Sequence, residues 1–350
     1  MITGLRYALA EGWEQLPNGY KHQRVCDVAV DSRDRVYLYI RDDQQVMVYE
    51  RDGTFVTAWG SGRFPGRAHG IAIGPDDSVY CVNDGDHTVR KFTPGGELLM
   101  TLGTSGAPSD TGYDRNRKTQ ADKNASITRG GPPFNRPTKA AVAPSGELYV
   151  SAGYGNARVH RFSADGRLMQ SWGEPGTGAG QFMVPHGIAV AADGRVLVAD
   201  RENNRIQIFT PDGEYLNEWT DLSRPTSLYN DRSGLVYVTE VGWEFDPGGD
   251  FDAELPLRVS VLDEKGNFIA RWESVDGGGL GDFTAPHGIC VDSHGDLYLA
   301  SNNGWRRTDS SSSWWTYSPE AVVVNSGRIG CTDSSSSWWT YSLQKFVRET

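Results

Sequence analysis

The chain has 350 residues, a formal net charge of −11, 42 glycines and 11% aromatic residues. A net-acidic chain without a basic stripe argues against a nucleic-acid partner, and no apolar run reaches the ~18 residues of a membrane span. Cys26, Cys81, Cys290 and Cys331 lie far apart with no C-x-x-C, and Met1-Ile-Thr-Gly-Leu-Arg6 lacks the basic-then-apolar pattern of a signal peptide. The expectation is a cytoplasmic protein without a disulfide framework.

Taken from the N-terminus, Arg6 to Trp13 is a short apolar run that ends in Gly-Trp. Six copies of one unit follow: Asp27 to Gly60, His69 to Gly103, Lys139 to Gly173, His186 to Trp219, Thr226 to Trp272, and a sixth that starts at His287 and resumes at Leu343 to Arg348. Each has an alternating strand A, a tight turn, a strand B rich in Val, Tyr and Leu, and a polar loop. Strand C comes next (Val46-Met-Val-Tyr49, Ile206-Gln-Ile-Phe209), then a turn such as Asp52-Gly53 or Asp212-Gly213, and strand D. Four-stranded units at this period specify an all-β chain, a six-bladed β-propeller spanning residues 1–350 as a single domain. The sixth unit lacks a strand D of its own. The N-terminal run is expected to supply it, closing the ring and removing the open edge.

The turns joining A to B and C to D are nearly all short. Long segments lie elsewhere, at 104–137, 241–257 and 305–342, and all three are expected on the face opposite those turns. Loops of this length in a compact fold are functional lids or mobile insertions. Residues 104–137, rich in Gly, Pro, Ser, Asn and Lys, are expected to be poorly ordered in isolation. Within 305–342, Thr308 to Ser318 recurs residue for residue as Thr332 to Ser342; a recent duplication, an assembly contact or an assignment artefact all account for it.

Three units open on closely similar words: Ala68-His69-Gly-Ile-Ala-Ile73, Pro185-His186-Gly-Ile-Ala-Val190 and Pro286-His287-Gly-Ile-Cys-Val291. These are units two, four and six, ~120° apart in a six-fold ring whose innermost strands face the channel. Units one, three and five carry Cys26, Thr138 and Thr226 at that place. Three neutral imidazoles with an open fourth position are the ligand set of a catalytic zinc, and they also suit iron, copper or nickel. The alternative is that His-Gly is a turn pair hydrogen-bonded to backbone. Cys26 reads as a buried apolar residue rather than a fourth ligand, and His22, His87, His160 and His294 as surface residues. The first residues of the B–C loops, namely Arg41, Asp84, Tyr154, Asp200, Arg201, Glu240 and Asn302, should rim the same mouth. Either Arg41 or Arg201 can hold a carboxylate bidentately or pair with a rim acid.

His186-Gly-Ile-Ala-Val190 followed by Val198-Ala-Asp-Arg-Glu-Asn-Asn-Arg-Ile206 resembles NHL repeats. Together with Val150 to Arg158, Gln170 to Gly176 and Gly180 to His186, it also resembles peptidyl-α-hydroxyglycine α-amidating lyase, densely from about Phe134 to Phe209. The resemblance implies a six-bladed propeller with zinc on His69, His186 and His287, a catalytic Tyr154, active-site arginines at Arg41 and Arg201, and cleavage of a carbinolamine C–N bond. The family's structural calcium relies on an aspartate where this chain has Gly288, and its disulfide cysteines are replaced by Asn135, Gly155, Leu197 and Ile208. With no hydroxylating domain or secretion signal in the sequence, the expected substrate is a small anionic molecule. A Lewis-acid metal, Tyr154 as base and an arginine on the substrate carboxylate suit such a reaction. The alternatives are a metal hydrolase of lactonase or esterase type, and a non-enzymatic NHL interaction or assembly module.

Overall fold

The computed structural model describes residues 5–18, 24–41, 45–62, 64, 67–242, 257–274, 285–301, 305–307, 315–317 and 343–349. His22, Asn302, the duplicated segments apart from 315–317, and most of the 241–257 and 305–342 insertions lie outside them. The period-2 runs form six antiparallel four-stranded sheets. Their A strands, Val25–Val30, Ala68–Ile73, Pro137–Val142, Pro185–Val190, Pro225–Asn230 and Pro286–Val291, touch one another in sequence order, and the last touches the first. The result is the expected six-bladed propeller.

Apolar side chains on each sheet face are buried against the next blade. One buried cluster joins Tyr37, Tyr39 and Val46 of blade one to Ile71, Val79 and Cys81 of blade two. Another joins Val28, Leu38 and Met47 of blade one to Cys290, Tyr298 and Leu343 of blade six. The recurrence of Trp at the end of strand D and of Gly in the C–D turn has a common cause. A Cβ on Gly96, Gly213 or Gly266 would lie 2.6, 2.5 or 2.4 Å from the ring of Trp59, Trp172 or Trp219 of the preceding blade. Glycine therefore serves twice there, by taking φ between +79 and +88° and by admitting the indole.

Blade six closes as expected. Tyr7–Leu9 pairs with Leu343–Arg348 (Tyr7 opposite Arg348, Leu9 opposite Phe346), and that strand pairs with Leu297–Ser301. Trp13 supplies the matching indole: its Nε1 donates to Arg51 O at 2.8 Å, and a Cβ on Gly53 would overlap its carbonyl. Sheet edges at the ring joint are thereby removed.

Residues 104–136 are packed rather than loose. They include the helix Gln120–Ala125, capped by Thr119, whose hydroxyl accepts from the Asp122 N–H. Ile127 and Phe134 are buried, and the Thr111 hydroxyl donates to Gly155 O at 2.6 Å. This segment is thus fastened to the loop that carries Tyr154. A Cβ on Gly155 would lie 2.3 Å from Asn135 Oδ1, and Leu197 faces Ile208 across two strands. The four positions that stand in place of cysteines are therefore two adjacent pairs.

Surface placement holds for His294 but not for His160, which is fully buried and bonded through Nδ1 to Ser171 Oγ at 2.7 Å. It sits on strand C facing Phe134 of the long segment, at 5.5 Å between ring centres, a contact that strand alternation cannot reveal. His87 is half-buried and accepts from the Arg136 N–H. Burial, with Arg158 nearby, depresses the His160 pKa from the ordinary 6.5 to about 3. Below pH 6.5 the unfolded chain then takes up a proton that the folded one refuses, so stability falls as pH drops from 6.5 toward 3. His160→Asn should flatten that slope in urea unfolding measured across the window; an unchanged slope would count against the buried neutral imidazole.

Candidate metal centre

Each A strand enters the channel through a register shift at its second or third residue, among them Ala68/Gly70, Pro185/Ile188 and Pro286/Gly288. Such bulges re-aim one side chain. Val184 and Ala285, just before them, take positive φ of 61° and 49°. On the even blades the re-aimed residue is histidine. His69, His186 and His287 point inward from three sides with ring centres 4.8, 4.8 and 4.9 Å apart. One ligand atom from each falls within 4.8 Å of the others, and all three residues are buried.

Odd blades fix these rings. The Nδ1 of His69, His186 and His287 lies 2.6 Å from the carbonyl oxygens of Thr138, Thr226 and Cys26 respectively. A carbonyl only accepts, so each Nδ1 carries the proton and each Nε2 presents its lone pair to the axis. The equivalent positions that lacked histidine thus contribute backbone, and the Cys26 side chain is buried with its Sγ 3.6 Å from Arg24 O. Burial, neighbouring imidazoles and the cations Arg41 and Arg201 hold the His69 and His186 pKa values well below 6.5 and that of His287 at about 3. All three are neutral at neutral pH. His287 Nε2 is buried with no hydrogen-bond partner among the described residues, and three convergent neutral imidazoles are a donor set that fits zinc or a related divalent metal.

Glycines follow the histidines because the odd-blade backbone passes close by. A Cβ on Gly187 would lie 2.8 Å from Thr226 O and 2.9 Å from Ser227 Cα. Gly187→Ala should therefore lower stability by ~1–3 kcal/mol through overpacking and weaken metal binding by displacing the carbonyl that orients His186. Paired denaturation and metal titrations check both; a neutral effect on each would contradict this packing. Directly past the carbonyls, the Lys139 ammonium of blade three is ion-paired with Asp27 of blade one, whose carboxylate also accepts from the Ile71 N–H at 2.8 Å.

Tyr154, from the B–C loop of blade three, reaches the imidazoles. Its hydroxyl is 3.2 Å from His69 Nε2 and 2.9 Å from His186 Nε2, and it accepts from Arg201 Nη1 at 3.3 Å. Arg201 is itself held by Glu202 through Nε and Nη2 at 2.9 and 2.8 Å. Arg41 donates from Nε to Ala68 O at 3.0 Å and has no carboxylate partner among the described residues. The predicted trio of Tyr154, Arg41 and Arg201 is brought to the three histidines.

The acids expected at the rim are differently used. Asp200 is buried under Arg205, Asn203 and Gln207, and Glu240 under Arg258, Ser260 and the Ser223 N–H. Both anchor loops from behind. Asp84 is buried as the partner of Arg136 at 2.6 Å. Arg136 escaped sequence reasoning, yet its guanidinium carbon sits 5.0 Å from the Tyr154 ring centre, with that of Arg201 at 5.3 Å. A signal was present: Arg24, Arg136 and Arg224 each stand two residues before Cys26, Thr138 and Thr226.

Residues 182–209 match the family model of the NHL repeat. Human NHL repeat-containing protein 3 is 33% identical over 228 residues, covering 61% of this chain and 60% of that protein. Peptidyl-alpha-hydroxyglycine alpha-amidating lyase 1 of Drosophila melanogaster is 26% identical over 288 residues, covering 76% of this chain and 48% of its own length. The chain thus spans about three fifths and about half of these two relatives. Among solved structures, a catalytically inactive variant of virginiamycin B lyase from Staphylococcus aureus superposes with a TM-score of 0.54 at 14% identity, covering 98% of this chain and 99% of the other. At that identity the likeness is one of fold.

Proposed function

We propose, for a chain that is an NHL-repeat six-bladed β-propeller similar to peptidyl-α-hydroxyglycine α-amidating lyase, that it is a metal-dependent lyase cleaving the carbon–nitrogen bond of a small carboxylate-bearing carbinolamine. The observation that carries this reading is the convergence of three Nε2 atoms whose tautomer is set by the carbonyls of Cys26, Thr138 and Thr226. His69, His186 and His287 would hold a divalent transition metal, zinc foremost, which supplies Lewis acidity toward a substrate oxygen.

The chain's own groups supply the rest. Tyr154 is the proton carrier: acting as base, its oxygen takes the carbinol proton while the pair of that O–H bond forms the carbonyl π bond and the C–N pair departs with nitrogen. The proton then passes from Tyr154 to that nitrogen, so the products are an amide and an α-oxo acid, with no net proton or electron change. Arg201 donates to the Tyr154 oxygen and so orients it and stabilises negative charge on it. Arg41, half-buried and without a rim acid among the described residues, holds the carboxylate next to the reacting carbon.

Purified protein loaded with zinc and offered an N-acyl-α-hydroxyglycine should release glyoxylate and an amide whose carbonyl carries no oxygen from labelled water. Labelled oxygen in the product of an ester or lactone, with carbinolamines untouched, would replace this reading with a hydrolase. A chain that retains no transition metal after purification and loading would favour an interaction module.

A further inference from the structure

Among the described residues, the mouth of the channel gathers more arginines than acids. Arg41, Arg67, Arg136 and Arg201 are gathered around it, and the ion pairs that the last three make among the described residues go to Asp84 and Glu202. Asp84 is shared by Arg67 and Arg136, and Glu202 by Arg201 and Arg224. The chain as a whole carries a formal net charge of −11. The other end of the channel has the opposite character: a cavity of about 800 Å³ lined by Asp31, Asp34, Asp77, Asp231 and Asp292, with Arg232 and Arg348 beside them.

Arg136 stands as close to Tyr154 as Arg201 does, with guanidinium carbons 5.0 and 5.3 Å from the ring centre. It spends Nη2 on Asp84 and Nη1 on the Tyr113 hydroxyl at 2.6 and 2.8 Å, and a guanidinium has five N–H donors. The remaining donors stay on a group fixed by buried Asp84 and by two aromatic rings, at 5.0 Å from the Tyr154 centre and 5.8 Å from that of Tyr113. Each of the two guanidinium groups held against the Tyr154 ring has one carboxylate partner, Asp84 for Arg136 and Glu202 for Arg201, and Asp84 is shared with Arg67, so one acid stands against two cations on the Arg136 side.

Resting on the lyase reading for the position of the first carboxylate, we infer that the substrate is a dianion: one carboxylate goes to Arg41 and a second anionic group, on the acyl side of the scissile bond, goes to Arg136. Its chemical class is that of N-acyl-α-hydroxyglycines whose acyl group ends in a carboxylate. Arg136 is a specificity residue, and Asp84 with Tyr113 sets its direction.

The unreactive analogues N-succinylglycine and N-butyrylglycine differ in one carboxylate and test this without turnover. By calorimetry on zinc-loaded protein, N-succinylglycine should bind at least about tenfold tighter at low salt, with the advantage shrinking as salt is raised. Arg136→Gln, verified to fold and to bind zinc, should bring the ratio to within about twofold, whereas Arg67→Gln, at the exposed rim, should keep most of it. Equal binding of the two analogues, or a preference that survives Arg136→Gln, overturns the proposal. The α-hydroxy forms are then assayed separately. Turnover of the monoanion with no preference for the dianion sinks this inference and spares the lyase, while a binding preference without turnover of either does the reverse.

Discussion

His186→Ala is expected to fold, bind no zinc that survives dialysis, and show no lyase activity. Deleting one of three ligands should weaken metal binding by more than the ~10–100-fold typical of losing an outer partner of a ligand. The fold should persist because the six inter-blade clusters are built from other side chains. Circular dichroism, elemental analysis and turnover on one preparation settle the matter. Activity lost with metal content unchanged would remove His186 from the ligand set, and a collapsed spectrum would make it a structural residue instead. The carbonyl of Thr226 offers an independent route to the same end, since it orients the same ring.

Tyr154→Phe separates chemistry from assembly. The ring is wedged against His69 and His186, at 5.0 and 5.3 Å between centres, and it underlies two guanidinium groups. Phenylalanine preserves those contacts and removes only the hydroxyl that faces the two Nε2 atoms. Metal affinity and KM should therefore stay close to the parent, while kcat falls by ~10²–10⁴, the usual worth of a positioned proton-transfer group. A variant with full kcat would clear Tyr154 of proton transfer. One with unchanged kcat but a raised KM would assign the hydroxyl to binding.

Fold and centre were legible in the sequence to different depths. Blade number, strand order and the closure by Arg6 to Trp13 follow from a repeat whose strands alternate with period 2, because each strand's burial is set by its own residues. The alternation of His69, His186 and His287 was readable for the same reason: a fixed position in a repeat is a fixed height in a ring. What locks them was not, because the carbonyls of Cys26, Thr138 and Thr226 are backbone and leave no residue-type trace. Arg136 was hidden differently. It sits before a strand, in left-handed backbone at φ 54°, outside the loops taken to form the rim. His160 misled because strand C looks half-exposed until Phe134, from a segment read as loose, covers it.

The anchor for His287 is the carbonyl of Cys26, so the last blade's ligand is oriented by the first blade. Joining the first and last blades and orienting the third imidazole are therefore one event, and a variant lacking Leu343 to Arg348, which loses the strand beside Leu297–Ser301, is expected to hold added zinc less tightly in a metal titration.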